Sequence, residues 1–254
     1  MEIRFDDQVV LITGASGGIG AALARAFGAA GASVVVHFHR NADSARAVVE
    51  DIQAAGSRAL AVQADLTDPA QVERVVEAAV GRFSRVDILI NNAGTMFSRQ
   101  PIAETPDALY YQIMDLNMTA VFRMCRLVIP IMQRQGRGNI INLSSISARR
   151  GGGGGSVLYG TSKAAISTFT RGLAKELVGH HIRVNAIAPG WILTPLHERY
   201  TPPDRMEAGI EMIPMKRAGR PEECVGAAFF LASDAMSSYV TGQIIEVNGG
   251  LLMP

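Results

Sequence analysis

The shortages in this 254-residue chain are its first guide. Only two cysteines occur, Cys125 and Cys224, each inside an apolar, helix-like stretch. That excludes a disulfide-stapled scaffold and predicts two reduced core thiols. Lysine is confined to positions 163, 175 and 216, and the 24 basic and 23 acidic side chains are evenly mixed, for a net charge of +1. No basic patch offers itself to nucleic acid or to a membrane surface. No apolar run approaches the ~18 residues of a membrane span. The opening Met1-Glu2-Ile3-Arg4-Phe5-Asp6-Asp7 lacks the form of a signal peptide. The chain is therefore expected to be cytoplasmic, with no nucleic-acid or membrane partner.

What is present is a regular alternation. Apolar runs at 9–13, 33–38, 58–63, 86–90, 139–143, 183–187 and 243–247 read as strands. Helical patterns occupy 19–30, 44–55, 69–82, 107–135, 157–179 and 221–232. The strands are apolar throughout rather than alternating, as in a parallel sheet covered on both faces. The order predicts one α/β domain over residues 1–254, a doubly wound parallel sheet of about seven strands with helices on both faces. Ligands bind such sheets at the carboxyl ends of the strands. Two segments depart from the pattern. Residues 151–155 are five consecutive glycines, and about 195–215 four prolines and three methionines suggest a partly helical flap over a ligand. The alternative is a surface excursion packed by its own side chains.

The first predicted strand runs into Thr13-Gly14-Ala15-Ser16-Gly17-Gly18-Ile19-Gly20. Glycines at 14, 18 and 20 let the backbone turn sharply and approach a pyrophosphate, which the following helix N-terminus attracts. Alone, such a turn could be only a tight strand–helix connection; after the first strand of a βαβ unit it reads as nucleotide-binding. The second strand ends at Phe38, with His39 and Arg40 after it and no carboxylate to hold the ribose hydroxyl of NAD. Arg40 and the Ser16 hydroxyl suit a 2′-phosphate, so NADP is the favoured cofactor and NAD the other candidate. Arg40 could also be a plain surface charge.

Tyr159 and Lys163 lie four residues apart in a helical pattern and so share a face. An ammonium beside a phenol favours phenolate, so the tyrosine pKa is expected to fall below its free value of about 10. His37-Phe38-His39 and His180-His181 lack companions at zinc-like spacing, so no metal is expected.

These pieces resemble the short-chain dehydrogenases/reductases over essentially the whole chain. The resemblance lies in the turn at 13–20, Asp65-Leu66-Thr67-Asp68, Asn91-Asn92-Ala93-Gly94, Asn117, Ser144-Ser145, Tyr159 with Lys163, Pro189-Gly190, and the tail Gly219-Arg220-Pro221 to Asn248-Gly249-Gly250. It implies a Rossmann-type fold and hydride transfer between a nicotinamide cofactor and a carbonyl or alcohol. Tyr159 would be the acid/base, Lys163 would lower its pKa and hold the nicotinamide ribose, Ser145 would orient the substrate oxygen, and Asn117 would hold a water linking Lys163 to solvent. Ser145 lies 14 positions before Tyr159, about one more than is usual in the family, which leaves Ser144 and Ser147 as alternatives. Asn117 could instead be a helix-bending core asparagine.

Cofactor contacts implied by the resemblance are Gly14, Ser16, Gly18, Ile19, Gly20, Phe38, His39, Arg40, Asp65, Leu66, Asn91, Ala93, Gly94, Tyr159, Lys163, Pro189, Gly190, Ile192 and Thr194. Asp65 would bind the adenine amino group or else cap the next helix, and Asn91 could mainly fix strand ends. The resemblance also implies a homotetramer. The stripe Ile166, Phe169, Leu173, Leu177 could pack a partner or the chain's own core. The substrate is expected to be a small molecule. Arg99, Gln100, Trp191, His197 and Glu198 suit a sugar or polyol; Arg149 and Arg150 suit a 3-oxoacyl carrier protein. A dinucleotide-binding regulator without turnover is the reading from a different class.

Overall fold

Alternate residues of the central strands feed two separate cores. Val10, Ile12, Val34, Val36, Ile88 and Ile90 enter one, and Val9, Leu11, Val35, Leu89 and Ile140 the other. The computed structural model describes residues 3–253. In chain order the main elements are β1 (Val9–Ile12), α1 (Gly18–Ala29), β2 (Ser33–Phe38), α2 (Ala42–Ala54), β3 (Ala59–Gln63), α3 (Pro69–Phe83) and β4 (Ile88–Asn91). The second half runs α4 (Asp107–Met114), α5 (Ala120–Gln135), β5 (Gly138–Leu143), α6 (Ser147–Arg150), α7 (Val157–Leu177) and β6 (Ile182–Pro189). It closes with α8 (Pro195–Tyr200), α9 (Pro203–Glu211), α10 (Val225–Ala232), α11 (Asp234–Ser237) and β7 (Ile244–Val247).

The described residues form a seven-stranded sheet, every pair parallel, in the order β3-β2-β1-β4-β5-β6-β7. The order reverses between β1 and β4, the switch point where such sheets open a ligand crevice. Residues of α1, α2 and α10 cover one face and those of α3, α5 and α7 the other. β1, β2, β4 and β6 are buried along their whole length, as the unbroken apolar runs predict. The edge strands β3 and β7 depart from that expectation: both are partly open, because a sheet edge has a neighbour on one side alone.

Three local features refine the sequence reading. The pattern at 107–135 is one helical path broken by a π-helical turn, Asp115–Thr119, between α4 and α5. The flap segment holds two short helices, α8 and α9, each with proline in its first turn, where a missing N–H costs nothing. The stripe on α7 faces inward: Ile166, Leu173 and Leu177 are buried in the core and Phe169 packs on it.

Candidate active site

The turn after β1 is braced from three sides. Thr13 Oγ1 accepts the N–H groups of Asn92 (2.9 Å) and Ala93 (3.0 Å), while Asn92 Nδ2 donates to the carbonyls of Thr13 (2.9 Å) and Gly14 (3.0 Å). The Gly14 N–H donates to His37 Nδ1 at 3.0 Å, so the ring proton sits on Nε2 and goes to Ala64 O at 3.0 Å. Burial pushes the His37 pKa down to about 4 and keeps this bridge neutral. Gly14 and Gly18 have φ of 65° and 52°, and a Cβ on Gly20 would collide with the Gly14 carbonyl. Gly17 caps α1 without a side-chain bond, so the first-turn N–H groups and positive helix end are left to a ligand. Thr194 stands opposite Gly18, and a cleft of about 400 Å³ lies there, lined by Ser16, Gly17, Gly18, Thr194, Pro195 and Glu198 among others. This cradle, with no acidic side chain in the first turn of α1, fits a dinucleotide pyrophosphate.

At the end of β2, Phe38 is buried while His39 and Arg40 are exposed. His39 Nε2 lies 3.7 Å from Asp65 Oδ2. Asp65 Oδ1 accepts both the N–H and the hydroxyl of Thr67. Burial opposes its ionisation, but the Thr67 bonds and then His39 outweigh it and hold the carboxyl below its ordinary range. The capping role considered for Asp65 belongs to Asp68, whose Oδ1 accepts the Ala70 N–H. Leu66 is buried behind it. Asn91 is also buried: its Nδ2 donates to Asn142 Oδ1 at 2.9 Å and reaches Cys125 Sγ, tying strand ends together. Both cysteines are free and buried, and burial pushes their pKa values up to about 12.

The ends of β4 and β5 and the start of α7 meet at Tyr159. Ser145 Oγ accepts the Ser147 N–H at 3.1 Å, which leaves its own proton to donate. That hydroxyl lies near enough to the Tyr159 phenol to offset part of the effect of burial on it. Ser144 is spent elsewhere, on Lys163 O and Ser167 Oγ. The Lys163 ammonium lies 5.8 Å from the Tyr159 ring centroid and donates to Leu143 O at 2.7 Å. A Cβ on Gly94 would stand 3.1 Å from Lys163 Nζ and 2.9 Å from Asn117 Oδ1, so these groups share one corner.

One expectation is corrected here. The Tyr159 pKa is raised, not lowered: burial dominates and the Ser145 hydroxyl only partly opposes it. The ammonium, turned toward Leu143, is itself pushed down to about 8 by burial. The Asn117 side chain is also fully engaged, accepting the Thr95 N–H and donating to Thr95 O and Ser162 Oγ. It braces the π-turn against α7 and the loop after β4, so a water-holding role would fall to its main-chain carbonyl.

Across the cleft, β6 ends at Pro189, Gly190 packs on Asn248, and buried Ile192 bridges to Gly219. His197 stacks on Trp191 with ring centroids 5.0 Å apart and pairs with Thr201 Oγ1 at 3.0 Å. Arg99 reaches the flap at Tyr200 O and the glycine run at Gly154 O. Arg149 is drawn instead to Glu246, 3.8 Å away. From sequence, Thr13 and Asn92 enter only as members of their motifs and His37 only as a metal candidate, without these bracing roles, and Arg205 is not singled out; the signal for Asn92 lies in its place directly after a strand end.

The family described as enoyl-(acyl carrier protein) reductase matches residues 14–252. A 3-oxoacyl-[acyl-carrier-protein] reductase of Synechocystis is 39% identical over 250 residues, 97% of each chain. A 7α-hydroxysteroid dehydrogenase, solved with NADH and 7-oxo glycochenodeoxycholic acid, superposes with a TM-score of 0.92 at 38% identity over 98% of this chain and 96% of the other. A chain from Beutenbergia cavernae, provisionally assigned as an NAD(P)-dependent gluconate 5-dehydrogenase and holding NADP at low occupancy, gives 0.91 at 34% identity and 99% coverage of both. The chain belongs to the short-chain dehydrogenase/reductase family. It is an NAD(P)-dependent oxidoreductase acting on CH–OH groups.

Proposed function

We propose that the chain moves hydride between NADP(H), or less favourably NAD(H), and the carbonyl or secondary alcohol of a small sugar- or polyol-like molecule. The observation that carries this reading is the convergence of Ser145, Tyr159 and Lys163 at the strand ends beside the braced phosphate turn. The bound cofactor supplies or takes the hydride at its nicotinamide. In carbonyl reduction Tyr159 holds its proton, as its raised pKa favours, and delivers it from Oη to the substrate oxygen. The Ser145 hydroxyl donates to the same oxygen and stabilises charge on it. The Lys163 cation steadies the phenolate left behind, and Asn117 keeps the corner of Lys163 and Gly94 in register. Oxidation reverses each transfer.

Gly14, Ser16, Gly18, Ile19 and Gly20 would hold the pyrophosphate, and Asp65 and Leu66 the adenine. Phe38, His39 and Arg40 would line the adenosine ribose; Asn91, Ala93 and Gly94 the nicotinamide ribose. Pro189, Gly190, Ile192 and Thr194 would bracket the nicotinamide. Exposed Arg40, with no carboxylate at the end of β2, supports NADP. A cytoplasmic homotetramer belongs to the same reading, supported by exposed Tyr110, Tyr111 and Phe122 on α4 and α5.

The polar rim of Arg99, His197 and Trp191 supports a hydroxylated substrate. The Synechocystis relative favours a second reading, reduction of a 3-oxoacyl thioester on a carrier protein. The test follows reduced-nicotinamide absorbance with sugars, polyols, diketones and a 3-oxoacyl thioester, NAD and NADP forms separately. Turnover of a sugar or polyol with NADP preferred is the expected result. Turnover of the thioester alone would overturn it in favour of the second reading. Cofactor binding without turnover, persisting over a widened panel, would point to a regulator.

A further inference from the structure

The five-glycine run serves as a tray for two arginines. Arg205 Nη2 donates to Gly153 O at 2.7 Å and its Nη1 to Gly154 O at 3.4 Å. Arg99 Nη1 reaches the same two carbonyls at 3.4 and 3.3 Å, while its Nε holds Tyr200 O at 2.5 Å and its Nη2 reaches Thr201 Oγ1 at 3.5 Å. A Cβ on Gly154 would overlap the Arg205 guanidinium, and one on Gly155 would strike the main chain between Arg99 and Gln100. Glycine is favoured here by the positive φ at Gly151, Gly152, Gly154 and Gly155.

Two like charges sharing two neutral carbonyls repel each other. Neither guanidinium has a carboxylate within 4.0 Å among the described residues; Asp204, next to Arg205, is exposed and forms no ion pair with it. The field of the pair is felt nearby. Burial first, then the Arg205 charge, lowers Arg99; burial first, then the Arg99 charge, pushes His197 down to about 4. A guanidinium fork matches the oxygens of an oxyanion in a way that a carbonyl does not. The chain ties the pair to the substrate side. Arg99 follows the loop that begins at Ala93-Gly94, the tray ends four residues before Tyr159, and Arg205 belongs to the flap that follows Ile192 and Thr194.

We propose that Arg99 and Arg205 form an oxyanion subsite, so that the substrate is a hydroxy or oxo compound that also carries a carboxylate or a phosphate ester. The proposal rests on the reading of the Tyr159 site given above. On binding, the anion replaces the longer carbonyl contacts at 3.3–3.4 Å and relieves the repulsion between the guanidiniums.

The test is calorimetric titration of the full chain, saturated with reduced cofactor, with gluconate, sorbitol and sorbitol 6-phosphate. None of the three accepts hydride, so binding is read without turnover. At least one anion is expected to bind roughly tenfold or more tightly than sorbitol. Preference for gluconate assigns a carboxylate and preference for sorbitol 6-phosphate a phosphate ester. Arg205→Gln, and separately Arg99→Gln, should bring the ratio toward one, with circular dichroism confirming the fold. Equal binding of the three polyols, absence of binding by all of them, or a ratio unchanged in a folded Arg205→Gln variant would overturn the subsite. Failure of hydride transfer across the substrate panel would instead sink the reading of the Tyr159 site, and the two failures are told apart.

Discussion

The two sides of the cleft are held by different means. On the dinucleotide side, the turn after β1 is fixed by buried side chains that reach across strand ends: Thr13, His37 and Asn92 spend their polar atoms on its backbone. On the substrate side, the loop after β4, the glycine run and the flap touch through half-buried arginines resting on carbonyls, two contacts short at 2.5 and 2.7 Å and three longer at 3.3–3.4 Å. The first arrangement leaves each group one satisfied position and costs much to break. The second can exchange its contacts for those of a ligand. A rigid cofactor seat beside an adaptable substrate mouth suits an enzyme family whose members share hydride chemistry and differ in what they reduce.

The largest effect that would break this comparison comes from the joint between the two sides. Lys163→Met should lower turnover by about a thousandfold or more, as expected for a disabled acid–base unit, measured as kcat under saturating cofactor. It should at the same time raise Tm. Burial holds the Lys163 pKa at about 8 against 10.5, so keeping the ammonium charged in the fold is destabilising below pH 8. Net of its bond to Leu143 O, removal should stabilise by on the order of 1–2 kcal/mol at neutral pH. That burden fades as pH rises from about 8 to 10.5, so wild-type stability should climb relative to the variant across that window. A Tm that falls in the variant would mean that Lys163 is chiefly a structural strut.

Next in size, His37→Phe leaves the Gly14 N–H and the Ala64 carbonyl without partners. It should cost about 2–4 kcal/mol in denaturant unfolding and weaken dinucleotide binding measured by cofactor fluorescence. Because the folded His37 pKa is depressed to about 4, stability should decline as pH falls from 6.5 toward 4, and the variant should lose part of that slope. His197, depressed to about 4 as well, contributes a second such slope on the substrate side. Intact cofactor affinity in His37→Phe would remove the claim that the turn is braced from beneath.

The activity profile sharpens the contrast further. Reduction needs Tyr159 protonated and Lys163 charged, so its kcat/KM should fall as pH rises through about 8, and oxidation should rise. A flat profile from pH 7 to 9 in both directions would disconnect the pair from catalysis. The smallest effect is expected at the tray. Gly154→Ala, where φ is 52°, should cost about 1 kcal/mol and raise KM while leaving cofactor affinity unchanged. A cofactor defect in that variant would show that the two sides are not independent.

Sequence reading reached the two sides unequally, for physical reasons. The strands and the turn at 13–20 were legible because burial demands unbroken apolar runs and a pyrophosphate cradle demands glycine at 14, 18 and 20. Pairs set by one helical turn, such as Tyr159 and Lys163, were also visible. Contacts between residues distant in sequence were not: nothing near His37 announces Gly14 and Ala64, and nothing near the glycine run announces Arg99 and Arg205. The Tyr159 pKa was misjudged because spacing reveals proximity but neither burial nor the Leu143 carbonyl that turns the ammonium aside. Asn117 was legible as a special position, but its two bonds to Thr95 and the π-turn that carries it were not.

The central claim is that a braced dinucleotide seat delivers its ligand to a proton donor at Tyr159. The most direct measurement is Tyr159→Phe, read as turnover and as dinucleotide dissociation constant on the same preparation. The account predicts that turnover drops by about a thousandfold or more while the dissociation constant stays within about threefold of wild type. Turnover that survives the loss of the phenol would contradict it.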